Sequence, residues 1–215
     1  YHHAFIYGEK LFNQNPQIDK LYETLVNIIS KTNNWHKLMQ INEQAYKLKL
    51  IDKEVYFNNK SIVFYEISKI KKYSEPPESI NLIEKALKLR QYFSPYVSFY
   101  IELLIDSNKL SKAKNYLQKA WTQSPHPDFK TKIKLLSIKM QTSYFQLAEY
   151  IVSNSKNLPE SKILLAETLL DSQNWAEAKK HLNTLLEHKP SKEVCLLMSK
   201  IEESDSNDPQ KINSW

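Results

Sequence analysis

Apolar residues recur along the chain at intervals of three and four, in runs separated by prolines, so the sequence reads as helices joined by turns. In NWAEAKKHLNTLLEHKP, residues 174–190, an aromatic precedes Ala178, Leu182 and Leu185 at helical spacing, and the run closes on Pro190. The same template recurs as Ala113, Leu117, Ala120 and Pro125, and as Ala4, Gly8, Leu11 and Pro16. A small residue at a fixed place on a face of large ones predicts close approach of two helix backbones there. Alternating apolar and polar stretches with Asn-Gly or Asp-Gly turns are absent, so nothing predicts a sheet. The predicted class is all-α.

The spacing resembles the tetratricopeptide repeat (TPR), a helix–turn–helix unit of about 34 residues ending in proline. Counting back from Pro190, a unit starts at Pro159, with Leu165, Ala166 and Leu169 in its first helix and Trp175 opening its second. Counting back from Pro125, another starts at Ser94, with Tyr100, Ile101 and Leu104 before Leu110. A third starts at Asp19, with Leu25, Val26 and Ile29 before Trp35, Leu38 and Ala45; there Asn42 stands where an apolar residue is expected. Two further units are degenerate: one carries Ser79, Ile83 and Ala86 in a small-large-small pattern, the other Ala148. A last first helix starts at Glu193, and Asp208 with Pro209 reads as the cap and first turn of an incomplete partner helix. The expected architecture is a right-handed α-solenoid of TPR-like repeats in one domain, residues 1–215. Its approximate units are 1–16 (partial), 19–50, 53–92, 94–127, 128–157, 159–190 and 193–215 (partial), which is about five full pairs with a half at each end.

Composition narrows the chemistry. At 215 residues and 41% hydrophobic content the chain can bury a core. Gly8 is the one glycine, which excludes glycine-rich phosphate loops, dinucleotide fingerprints and nucleophile elbows. Cys195 is alone, so no intramolecular disulfide forms and a reducing compartment fits. No apolar run reaches the roughly 18 residues that span a bilayer. The formal net charge is +6, and Arg90 is the one arginine among 30 basic residues. Lysine lacks the planar fork that reads phosphate or guanine, so nucleic acid is not an expected partner. Residues 109–139 hold Lys109, Lys112, Lys114, Lys119, Lys130, Lys132, Lys134 and Lys139 against the single acid Asp128. This run reads as a solvated face, or as a positive patch for an acidic partner or an anionic membrane surface.

No catalytic or metal-binding constellation emerges. His126, Pro127 and Asp128 spell the tripeptide of J-domains, but they follow a repeat-ending Pro125, and Asp128 is expected to cap the next helix. His181 and His188 lie seven apart and His2 and His3 are adjacent; neither spacing suits a metal, and solvated surface histidine is expected. Cys195, between Val194 and Leu196, is expected to be a buried packing residue. TPR stacks bind ligands on the face lined by their first helices. That placement makes Glu23, Asn27, Ser98, Glu102, Lys132, Leu136, Lys139, Ile163 and Glu167 the candidate partner-binding positions. Only Asn27 and Lys132 match the pattern of TPR proteins that clamp the terminal carboxylate of heat-shock chaperones.

KAWTQSPHPDF (119–129) followed by NLPESKILLAETLLDSQNWAEAKKHLNTLLEHKPSKEVCLLMSKIEESD (157–205) resembles the HemY-type TPR proteins of Gram-negative bacteria, with alphaproteobacterial members as the pattern. Those are expected to carry AW…PHPDL, PES…LAEA…WGEAR+HLE and RVCRLMAEIEE segments in the same order. The similarity is good over roughly residues 80–208, and weaker but colinear from residue 10. One departure is lysine at many positions where that family has arginine. The resemblance implies a non-enzymatic scaffold, anchored in the bacterial inner membrane through an N-terminal hydrophobic hairpin that this chain lacks, with its TPR part on the cytoplasmic side. It further implies association with enzymes of a late step of haem biosynthesis. The alternative is a generic peptide-binding TPR adaptor in envelope biogenesis or secretion. No cofactor is expected; a direct haem or porphyrin site is conceivable on an aromatic groove with a histidine ligand, but no such pair is placed by the sequence.

Overall fold

A computed structural model describes residues 2–18, 20–186 and 190–205, which form twelve α-helices and no strand. In chain order they are α1 (His2–Gln14), α2 (Leu21–Lys31), α3 (Trp35–Lys47), α4 (Lys53–Lys71), α5 (Pro76–Leu89), α6 (Ser94–Asp106), α7 (Leu110–Gln123), α8 (Asp128–Met140), α9 (Tyr144–Val152), α10 (Pro159–Asp171), α11 (Trp175–Leu186) and α12 (Lys192–Asp205). The expected all-α class holds. The chain divides into two compact units, the first ending at Leu103 and the second starting at Leu104, so the division falls inside α6. In each unit consecutive helices pack on their chain neighbours in the manner of a helical repeat: α4 on α3 and α5 in the first, α11 on α10 and α12 in the second. The helix expected at Asp208–Pro209, the repeat start at Asp19, and His188 lie outside the described residues.

The turns show how a chain almost without glycine ends its helices. Helices α2, α3, α6, α8 and α10 finish on a left-handed residue, Asn33, Lys49, Asn108, Gln141 and Gln173, each with φ between 54° and 59°. In each case the next amide donates back five residues, as from Asn34 N to Ile29 O (3.3 Å), Lys109 N to Leu104 O (2.7 Å) and Asn174 N to Leu169 O (2.9 Å). This is the double closure that satisfies the last carbonyls of a helix. It is made with side chains that cost roughly 1 kcal/mol in that conformation, where glycine would cost nothing. Asn34 serves both sides of its turn: its amide closes α2, and its side chain accepts from Lys37 N at the start of α3 (3.3 Å). Asp52 caps α4 through Val55 N (2.8 Å), and Pro76 and Pro159 start α5 and α10 where a missing donor is harmless.

The small residues sit at the helix contacts. Ala178 is fully buried with Ile163, Ala166, Leu182 and Met198 in the core of the second unit; Ala113, Ala120 and Ala148 are fully buried too. In the first unit α4 and α5 are held together by two serines. Ser68 and Ser79 each donate to the other's backbone carbonyl at 2.7 Å, with their hydroxyls 3.0 Å apart. A larger residue at either position would push these helices apart.

The structure corrects several expectations. In α1 the residue at the close approach is Gly8, whose missing Cβ would lie 2.9 Å from Leu25 Cδ2. Ala4 and Leu11 are exposed, because the packed stripe of α1 runs through Phe5, Gly8 and Phe12. Cys195 is half-buried, since the inward direction of α12 is taken by Val194, Leu197 and Met198. Asp128 is the first residue of α8 and makes no capping bond; Pro127 occupies the cap position, and the Asp128 amide donates to His126 Nδ1 (3.2 Å). His181 is half-buried, and burial lowers its pKa against the opposing pull of Glu177 and Glu149.

Candidate functional site

The positions expected to bind a partner fall in different environments. Glu23 and Asn27 are exposed on α2; Ser98 and Glu102 are half-buried on α6, with Lys72 Nζ 2.5 Å from Glu102. On α8, Lys132 is half-buried, Leu136 is fully buried and Lys139 is exposed. On α10, Ile163 belongs to the core and Glu167 is half-buried in a charged groove. Ser98 Oγ is a buried hydroxyl with no hydrogen-bond partner. Glu23 contributes to a second, smaller concavity of about 430 Å³ beside Pro16, Tyr22, Leu50 and Val55.

The groove at Glu167 gathers side chains from five successive helices of the second unit and encloses about 460 Å³. Lys134 comes from α8, Tyr144 from α9, Glu167 and Asp171 from α10, Trp175 from α11 and Glu203 from α12. Above it Lys130 on α8 bridges two other helices, reaching Glu167 on α10 (2.9 Å) and Glu193 on α12 (2.7 Å). One turn along, Lys134 pairs with Asp171 at 2.5 Å, and its ammonium stands 5.7 Å from the centre of the Tyr144 ring. The i, i+4 spacing of Lys130 and Lys134 puts both ammonium groups on one face of α8; the same spacing of Glu167 and Asp171 sets both carboxylates opposite them.

Burial is the first influence on the ionisable groups of the groove. Burial raises the pKa of Glu167 despite the hydrogen bond and charge of Lys130. Burial also works to lower the pKa of Lys130, but its hydrogen bonds with Glu193 and Glu167 outweigh this and raise it. The Tyr144 hydroxyl is pushed well above the ordinary phenol value, first by burial and then by the carboxylates of Glu167 and Asp171.

At least three lysines of the run at 109–139 have partners within the chain. Lys130 and Lys134 are neutralised as above, and Lys114 lies over the Tyr150 ring at 4.0 Å. Tyr144 and Asp171 escaped the sequence reading because they meet only through folding, on helices with no local motif between them. Trp175 was visible only as the residue opening α11. Among the described residues no group of three potential metal ligands forms, and no helix is long and apolar enough to cross a membrane.

The first unit holds a buried amide beside its apolar core. Asn42, at the position expected to be apolar, is fully buried. Its Oδ1 accepts from Tyr22 Oη (2.8 Å), and its Nδ2 donates to the carbonyl of Tyr56 (3.0 Å). Asn59 Nδ2 in turn donates to Tyr22 Oη at 2.8 Å. Around α4, Tyr65 packs on Tyr96 (4.9 Å between ring centres) and edge-on to Phe99 (5.6 Å), with Lys69 over Tyr65 at 4.8 Å.

No known family profile matches the chain, and no curated protein is significantly similar to it. Among solved structures, a tetratricopeptide repeat protein from Parabacteroides merdae is similar over 98% of this chain and 85% of its own, at 13% identity and a TM-score of 0.44. PilF from Pseudomonas aeruginosa is similar over 90% of this chain and 86% of its own, at 15% identity and a TM-score of 0.40. YrrB, described as a TPR protein with an unusual peptide-binding site, is similar over 96% of both chains, at 14% identity and a TM-score of 0.41.

Proposed function

We propose that this chain is a protein-interaction scaffold without an active site of its own. The observation that carries the reading is the groove of the second unit, where five successive helices each present a side chain to one concavity. Such a surface offers an extended partner many small contacts along the repeat, and mixes aromatic, apolar and charged groups as peptide-binding grooves do.

The finer role rests on sequence. The order of the 119–129 and 157–205 segments supports a function like that of HemY-type proteins, gathering enzymes of a late step of haem biosynthesis at the cytoplasmic face of the bacterial inner membrane. The membrane anchor of that reading would precede Tyr1. A deletion strain should then accumulate porphyrin intermediates, and the tagged full-length protein should co-purify haem-pathway enzymes. Normal porphyrin levels together with copurification of envelope or secretion proteins would favour the generic peptide-binding adaptor, to which the mixed-charge groove is equally suited.

A further inference from the structure

We propose that the groove of the second unit recognises a lysine or arginine side chain of its partner, held between the Tyr144 ring and the carboxylates of Asp171 and Glu203. The inference rests on the scaffold reading and names the chemistry of the partner. The protein's own Lys134 already occupies this place. Its ammonium pairs with Asp171 at 2.5 Å and lies over Tyr144 at 5.7 Å, as an incoming basic side chain would.

Three features make that internal lysine replaceable. The Lys134–Asp171 pair is about half-exposed on both sides, and ion pairs of this kind contribute about 0–1 kcal/mol, so a ligand displaces it at little cost. The groove is lined by three carboxylates, Glu167, Asp171 and Glu203, against two ammonium groups, Lys134 and Lys200. Glu167 is held by Lys130, so swinging Lys134 out leaves Asp171 and Glu203 as the carboxylates facing a cation. Among the described residues no ion pair engages Glu203, so one carboxylate stands ready for a cation. Leu170 and Leu197 form the apolar wall along which the methylene stem of a long basic side chain would lie, and Trp175 stands beside them. Lys130 does not compete for the site, because Glu167 and Glu193 already hold it.

The test uses the intact chain and four fluorescein-labelled nine-residue peptides of serine and leucine that differ only at the central position: lysine, arginine, norleucine or glutamate. Fluorescence anisotropy should show the lysine and arginine peptides binding at least tenfold more tightly than the other two, and binding should move the Trp175 indole signal in NMR spectra. The double variant Asp171→Asn, Glu203→Gln should lose at least tenfold in affinity for the basic peptides. Lys134→Ala, which removes the internal competitor, should bind them more tightly. A merely structural Lys134 would weaken binding or leave it unchanged, and either result overturns the proposal. Binding of the glutamate or norleucine peptide at equal strength also overturns it, yet leaves the scaffold reading intact. If none of the four peptides shifts any backbone amide signal of the chain, the proposal fails, while the scaffold reading is decided by the co-purification experiment.

Discussion

In the first unit the interior tolerates polar atoms and satisfies them: Asn42 bonds Tyr22 and Tyr56, and Ser68 and Ser79 lock α4 to α5. In the second unit the core around Ala178 is apolar, the buried Ser161 hydroxyl is met by the Trp121 indole (2.9 Å) elsewhere, and ion pairs between helices line the groove at the rim. The difference follows from what a helix contact allows. A small apolar residue lets backbones approach with nothing to satisfy, whereas a polar residue at the same kind of contact must find partners there or destabilise the fold. Hydrogen bonds fix one register, so the first unit gains specificity of packing, and the charged rim gives the second a surface suited to a partner.

The largest effect is expected where a satisfied buried network is broken. Asn42→Leu would take away the acceptor of the Tyr22 hydroxyl and the side-chain donor to the Tyr56 carbonyl, at a cost of about 3 kcal/mol; urea unfolding of the isolated protein measures it, and a loss under about 1 kcal/mol would show that the network is dispensable. Ala178→Leu tests the other unit. Ala178 is fully buried in the apolar cluster, so the overpacking should cost about 2–3 kcal/mol, read in the same way. If the larger residue is accommodated without loss, close backbone approach is not what selects alanine there.

A smaller effect is expected at the rim. Lys130→Met removes a largely buried ammonium that two carboxylates share and leaves Glu167 without its ion pair, at a cost of about 1–2 kcal/mol at neutral pH. The pKa of Glu167 is raised in the folded protein, so its proton is bound more tightly there than in the unfolded chain. The penalty should therefore shrink as pH falls through the carboxylate range and Glu167 becomes neutral, and an unfolding series from pH 7 to pH 4 checks that sign. The smallest change is stabilising: Gln173→Gly relieves a left-handed residue and should add about 0.5–1 kcal/mol, seen as a modest rise in Tm.

Much of the helical framework was legible in the sequence. Apolar periodicity and the prolines marked the helices, and Ala113, Ala178 and Ser79 were recognisable as contact residues because small side chains on large faces have one physical purpose. Gly8 carried the same signal, but the template placed Ala4 and Leu11 on the wrong side of α1, since a one-position rotation of a helix turns its face by about 100°. Asn42 looked like a defect because its partners, Tyr22 and Tyr56, lie on neighbouring helices. Of the expected binding positions only Glu167 lies in the groove described above; Lys134, Tyr144, Asp171 and Glu203 joined it through folding.

By itself the sequence determined that the chain is helical, where its helices pack closely, and that glycine-dependent chemistry is closed to it, because each of these depends on local spacing or composition. Which charges neutralise one another, and where an aromatic ring meets a carboxylate, was decided only by the tertiary structure. Such contacts join residues from different helices, and their energies depend on distances of a few ångströms that no local pattern encodes.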